Sequence, residues 1–175
     1  QPGATVGEFT PETVKAVGYK SKVILPATHD TASAVIAAPL ESETPYISSG
    51  TWSLLGVEQN FAHTGEEARA SGYSNEGGVG YNRYQKNITG MWIAQCLRKE
   101  LCPDISFGDI VPLAKASDFT GVINVNDPKF TAPKSMAKAI DEYFIERGQD
   151  TPKTTGDYFN CAYVSLALGY KEAIA

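Results

Sequence analysis

Cysteine is scarce in this sequence. Cys96, Cys102 and Cys161 are the three present, an odd number with no C-x-x-C pair. A disulfide framework and a thiolate metal site therefore lose support, and a reducing, cytoplasmic compartment fits best. Positive charge is also in deficit, with 15 basic against 20 acidic residues and a net charge of -5. That balance argues against a nucleic-acid partner, because a phosphate backbone demands a basic face. An acidic chain can still hold a nucleotide if backbone amides and a divalent cation meet the phosphates. No apolar run is long enough to span a bilayer, and no charged-then-apolar leader opens the chain. G-x-x-x-x-G-K-[ST] is missing, which excludes a P-loop. Gln1 stands where an initiator Met would, and Tyr170 to Ala175 still read as helix, so both ends are expected to be cut from a longer protein.

What is present suits one folded domain. Hydrophobic residues are 42% and charged residues 20% of 175, enough to build a core and too apolar for disorder. Residues 1–21 are a Gly-, Pro- and Thr-rich approach with a short helix around 11–17. Lys22 to Thr28 is β-branched and apolar and predicts a buried strand, with a short helix over Thr31 to Ala38 stopped by Pro39. Tyr46 to Ser49 and Thr51 to Glu58 predict two strands meeting at a Ser-Gly turn. Residues 63–72 predict a surface loop, and Tyr73 to Gln85 irregular strands. Helical spacing begins at Asn87 and runs to Leu101. Further helices are expected over 107–116, 134–147 and 157–175, with a strand or extended loop over Val122 to Phe130. Strand, helix, strand pair and then helices indicate an α/β domain.

Three segments could carry chemistry. In Ala27-Thr28-His29-Asp30-Thr31-Ala32-Ser33, Asp30 lies between a strand and a helix, where open α/β sheets place ligands. It could take a proton from a hydroxyl in phosphoryl transfer, with His29 and Thr31 beside it to hydrogen-bond neighbouring hydroxyls. It could equally be the N-cap of the helix starting at Thr31. In Ser48-Ser49-Gly50-Thr51-Trp52-Ser53, a glycine between hydroxyl residues can turn N–H groups and the Thr51 hydroxyl toward phosphate, or simply make a hairpin turn. The third segment is Asn75-Glu76-Gly77-Gly78, followed by Lys86-Asn87-Ile88-Thr89-Gly90-Met91-Trp92-Ile93-Ala94-Gln95. There Asn87 and Gln95 are either ligand contacts or, respectively, a helix cap and a partly buried surface residue.

Taken together, HDTASAVIA, SSGTWSLLG, NEGG and KN-I-x-G-x-W-x-x-Q resemble the central region of the FGGY carbohydrate kinase family, most closely between Ala27 and Glu100. The resemblance implies an actin/hexokinase-like (ribonuclease H-like) ATPase domain, partial, from the C-terminal half of such a kinase. Residues 22–175 would form that partial domain after the approach segment. Within the family the motifs fit the branch that uses ATP and Mg²⁺ to phosphorylate L-rhamnulose at its 1-hydroxyl. Asp30 would be the general base, His29, Asp30, Thr31 and Asn87 would contact the sugar, and Thr51 and Gln95 would contact ATP. Mg²⁺ would be held mainly by phosphate oxygens and water. A kinase for another ketose or polyol, or a non-catalytic binding fragment of the superfamily, is the alternative. The family's N-terminal domain and its adenosine-binding glycine segment are not among these residues, so this stretch alone is expected to be inactive. Some relatives place a cysteine where Ala137 stands, able to pair with the counterpart of Cys161, and here that pair cannot form.

Overall fold

The computed structural model describes residues 2–26, 29–41, 44–78 and 80–175. It is a mixed α/β structure with antiparallel sheets, divided into two compact units: residues 1–48 with 56–85, and 49–55 with 86–175. Among the described residues no helix is long and apolar enough to cross a membrane.

The first unit begins with strand β1 (Thr5–Glu8), helix α1 (Pro11–Val17) and strand β2 (Lys22–Ile24). The Thr10 hydroxyl accepts from the Thr13 N–H, Pro11 opens the helix, and Gly18 closes it at φ 84°. β2 pairs antiparallel with β1 in a two-stranded ribbon. Here the structure corrects the sequence reading: β2 is short, and all three of its residues are exposed. Its β-branched residues gave the pattern of a buried strand, but a two-stranded ribbon has no second layer of its own to bury them. Ala27 and Thr28, the end of the expected strand, lie outside the described residues. Helix α2 (Asp30–Ala37) follows as expected, burying Ala32 and Val35.

Strands β3 (Tyr46–Ser49), β4 (Trp52–Gln59), β5 (Tyr73–Gly77) and β6 (Asn82–Thr89) form one sheet in the order β3-β4-β6-β5. The expected surface loop carries a short helix, α3 (Glu66–Ala70). β6 is a regular eight-residue strand where irregular strands were expected, and it continues through Asn87. In the first unit, β4 and β6 approach closely at Gly56, where a Cβ would sit 2.7 Å from the Gln85 Cβ and 2.8 Å from the Tyr46 hydroxyl. The Tyr46 hydroxyl donates to Gln85 Oε1 at 2.8 Å, and burial pushes its pKa up to about 12.

The second unit holds the core. Helices α4 (Trp92–Leu101), α5 (Phe107–Lys115), α6 (Met136–Ile145) and α7 (Thr155–Ile174) pack their apolar faces together, α7 against α4 and α5, and α6 against α4. Ile93, Leu97, Ile110, Ile140, Phe144 and Phe159 are fully buried there. Residues 121–124 form no strand, a turn follows at 125–126 where the Asp127 N–H donates to the Asn124 carbonyl at 3.0 Å, and a 3₁₀ turn covers Pro128–Phe130. Helix ends are set by side chains. Thr154 and Asp157 form a capping box on α7, while Glu100 of α4 accepts from the Met136 and Ala137 N–H groups at 2.7 and 3.1 Å, capping α6.

Candidate functional site

Two groups of predicted residues take shape, one in each unit. In the first unit, His29, Asp30 and Thr31 open helix α2. His29 occupies the N-cap without a side-chain cap bond, and Asp30 is the first helical residue. The capping alternative for Asp30 is thus displaced by one position, although the carboxylate still serves the helix start. Asp30 Oδ1 accepts from the Thr31 N–H at 2.7 Å and lies 3.5 Å from the Thr31 hydroxyl. A negative charge in the first turn also suits the helix dipole. His29 Nε2 stands 3.7 Å from Asp30 Oδ1, and the Asp30 side chain is 96% exposed. The carboxylate's hydrogen bonds among the described residues are to Thr31, and most of its surface faces solvent.

In the second unit, the turn between β3 and β4 is fastened to the start of α4. The Gly50 N–H donates to the Trp52 carbonyl at 3.0 Å. The carbonyls of Gly50 and Thr51 accept from the N–H groups of Met91 and Trp92 at 2.9 and 3.1 Å. Two amides at the helix start, which have no partner within the helix, are satisfied by the turn. The Thr51 hydroxyl donates to Gln95 Oε1 at 3.4 Å, and both side chains are exposed. Gly90 makes this approach possible: a Cβ there would lie 2.6 Å from the Gly50 carbonyl oxygen and 2.7 Å from both the Ser53 nitrogen and hydroxyl. Beneath the turn, Ser53 is fully buried, and its hydroxyl shares a 2.6 Å hydrogen bond with the Tyr170 hydroxyl of α7.

Asn87 is placed differently from the expectation. It lies in β6 and is exposed, while Met91 is the N-cap of α4 and contributes no capping side chain. The cap alternative for Asn87 is therefore overturned. The alternation of β6 fixes its direction, since Ile88 on the opposite face is buried. Gln95 falls in the first turn of α4 and is exposed, where partial burial was the bland expectation.

The NEGG segment is occupied structurally. Asn75 Oδ1 accepts from the His63 N–H at 2.8 Å, and its Nδ2 donates to the His63 carbonyl at 2.6 Å. Glu76 pairs with buried Arg83 at 2.9 Å. Sequence reasoning passed over Ser53, Gly90 and Tyr170 as site-building residues. Ser53 sits inside the quoted motif, but its partner lies 117 residues away and leaves no local trace.

The chemistry of the Thr51–Gln95 pair suits phosphate oxygens: an exposed hydroxyl on the braced turn and an exposed amide on α4. Among the described residues, no group of three or more His, Cys, Asp or Glu could hold a metal ion by itself.

No family model matches the chain. Curated relatives do. The chain is 43% identical over 175 residues to a protein of Halalkalibacterium halodurans named rhamnulokinase, covering 99% of this chain and 38% of that protein. A Bacillus subtilis rhamnulokinase is 40% identical over 178 residues, covering 99% of this chain and 37% of the relative. One from Pectobacterium carotovorum is 39% identical over 180 residues, covering 99% and 35%. The chain thus spans less than two fifths of the length of these relatives. The family resemblance read from the motifs is borne out, and it extends over nearly the whole chain.

Proposed function

We infer that the chain is a segment of an FGGY carbohydrate kinase of the rhamnulokinase branch, folded as part of an actin/hexokinase-like domain. The complete enzyme transfers the γ-phosphoryl group of ATP to the 1-hydroxyl of L-rhamnulose. As the sugar oxygen forms its bond to phosphorus, the bond to the β,γ-bridging oxygen breaks and ADP departs. The hydroxyl proton passes to the Asp30 carboxylate, whose exposure leaves it able to accept. His29, Thr31 and Asn87 hydrogen-bond the other sugar hydroxyls. Thr51 and Gln95 hold phosphate oxygens. Mg²⁺ bound with the nucleotide would supply charge neutralisation at the phosphates, held mainly by phosphate oxygens and water.

The observation that carries this reading is the Thr51–Gln95 contact. The resemblance assigns both residues to ATP, and although 44 positions separate them, their side chains meet at 3.4 Å. The chemistry asks little covalent help of the protein, so rigid placement of donors matters most.

The test uses the full-length enzyme with Mg-ATP and a panel of ketoses and polyols, with the phosphorylated carbon located by NMR. Preferred phosphorylation of L-rhamnulose at carbon 1 is expected. Preference for another sugar would keep the kinase and replace the substrate. No ATP-dependent phosphorylation of any sugar would sink the proposal. The 175-residue stretch assayed alone is expected to show no turnover.

A further inference from the structure

Ser53 follows the Thr51 turn by two residues and points into the second unit with no exposure at all. A fully buried hydroxyl needs a partner, and an apolar residue there would avoid that requirement. The partner is the hydroxyl of half-buried Tyr170, in the last turns of α7, at 2.6 Å. The preceding residue, Gly169, lets α7 come close: a Cβ there would lie 3.1 Å from Val125 Cγ2 and 3.9 Å from Ile88 Cγ2. Val125 and Ile88 are themselves buried in the core. Ser53 is also one of the walls against which Gly90 is packed, 2.7 Å from where a Cβ would stand. Core helix, Ser53–Tyr170 hydroxyl pair, Gly90 and the two carbonyls clamped by Met91 and Trp92 therefore form one continuous support behind Thr51.

We propose that Tyr170 is a positioning residue: through its hydrogen bond to Ser53 it fixes the turn at Gly50-Thr51, and so the placement of the Thr51 hydroxyl. A directional bond inside a packed core sets orientation in a way that apolar packing alone does not. The consequence for catalysis rests on the assignment of Thr51 to the phosphates given above. Tyr170 then bears on nucleotide use and leaves sugar affinity alone.

The experiment uses the full-length enzyme carrying Tyr170→Phe, Ser53→Ala or both. Phe keeps the ring and its packing, and Ser53→Ala reports on the same bond should the first variant fold poorly. Tyr170→Phe is expected to raise KM for ATP roughly three- to tenfold, the worth of one hydrogen bond, with KM for the sugar unchanged. The double variant is expected to be no worse than the worse single one, because both remove a single interaction. Amide exchange at Met91 and Trp92 is expected to accelerate in Tyr170→Phe, since their acceptors sit in the turn. Equal rises in both KM values, strictly additive losses, or unchanged exchange would overturn the proposal. Thr51→Val separates this from the phosphate assignment. If Thr51→Val leaves ATP use intact while exchange accelerates in Tyr170→Phe, the phosphate assignment falls and the positioning role stands. If Thr51→Val impairs ATP use while exchange in Tyr170→Phe is unchanged, only the positioning role falls.

Discussion

Asp30 and Thr51, the two residues given the main chemical roles, are supported in opposite ways. Asp30 stands at the exposed start of an eight-residue helix, its carboxylate bonded to the next residue along the chain. Thr51 stands on a turn tied by backbone bonds to α4 and backed by the Ser53–Tyr170 hydroxyl pair reaching α7. The first contact is local, made between adjacent residues. The second depends on the core and would be lost with it. A proton acceptor needs one free oxygen and an approaching hydroxyl, whereas phosphate recognition needs donors fixed to within fractions of an ångström. In the proposed roles, this difference in support accompanies the difference in task.

The contrast breaks most readily at Asp30. Asp30→Asn in the full-length enzyme is expected to lower kcat by roughly 10²–10⁴, the range for loss of a general base. Thermal stability should stay near wild type, because the side chain is 96% exposed. A variant that loses stability along with activity would show that Asp30 matters as a helix-start residue. Near-normal turnover would remove it from the proton-transfer role.

At Thr51 the support itself can be attacked. Gly90→Ala places a methyl group 2.6 Å from a carbonyl oxygen and 2.7 Å from a backbone nitrogen, neither of which can rotate away. A loss of about 1–3 kcal/mol in stability is expected, as for other overpacked sites, with weakened use of ATP. Thr51→Val is gentler, keeping the shape and deleting the hydroxyl. It is expected to cost about tenfold in kcat/KM for ATP, with sugar KM unchanged and stability preserved. If Thr51→Val instead raises the sugar KM alone, the turn belongs to the acceptor and the comparison must be redrawn.

How legible these two regions were in the sequence follows the same division. Helix α2 announces itself through a run of small apolar residues and Pro39, and the Ser-Gly turn through its residue types. The β6-to-α4 junction was misjudged because Ile88, Met91, Trp92 and Gln95 fit a helical period. The strand in fact continues to Thr89, and Met91 gives no capping signal to mark the change. β1 was missed because its four residues are all exposed and show no alternation of burial. Gly90 was visible as a glycine, but its reason lies in the approach of Gly50 and Ser53, which only the folded chain brings about. The partners that explain Gly90 and Ser53 lie far along the chain, 117 residues away for Ser53, and leave no local pattern.

The smallest expected effect concerns the anchor of α7, the helix that carries Tyr170. Asp157 caps its N-terminus, accepting from the N–H groups of Lys153 and Thr154 at 3.0 and 2.9 Å and from the Ser117 hydroxyl at 2.6 Å. The Ser117 bond first, and then these backbone donors, hold its carboxyl below the usual carboxylate range, against the opposing effect of partial burial. A depressed folded pKa means that the unfolded chain binds the proton more tightly. The stabilisation is therefore fully present above the ordinary Asp value of about 4 and is lost as the pH falls through the lower folded value. Asp157→Asn retains an acceptor oxygen and removes the charge, so it is expected to cost about 1 kcal/mol at neutral pH. The gap between wild type and variant should narrow as the pH drops below about 4, where the wild-type carboxylate also becomes neutral. Urea melts of the full-length enzyme at neutral and acid pH measure that gap directly. An equal gap at both would place the cost in altered geometry at the capping box. In the expected case α7 loosens only slightly, and ATP use at neutral pH changes far less than with Tyr170→Phe, because the Ser53 bond lies at the other end of the helix.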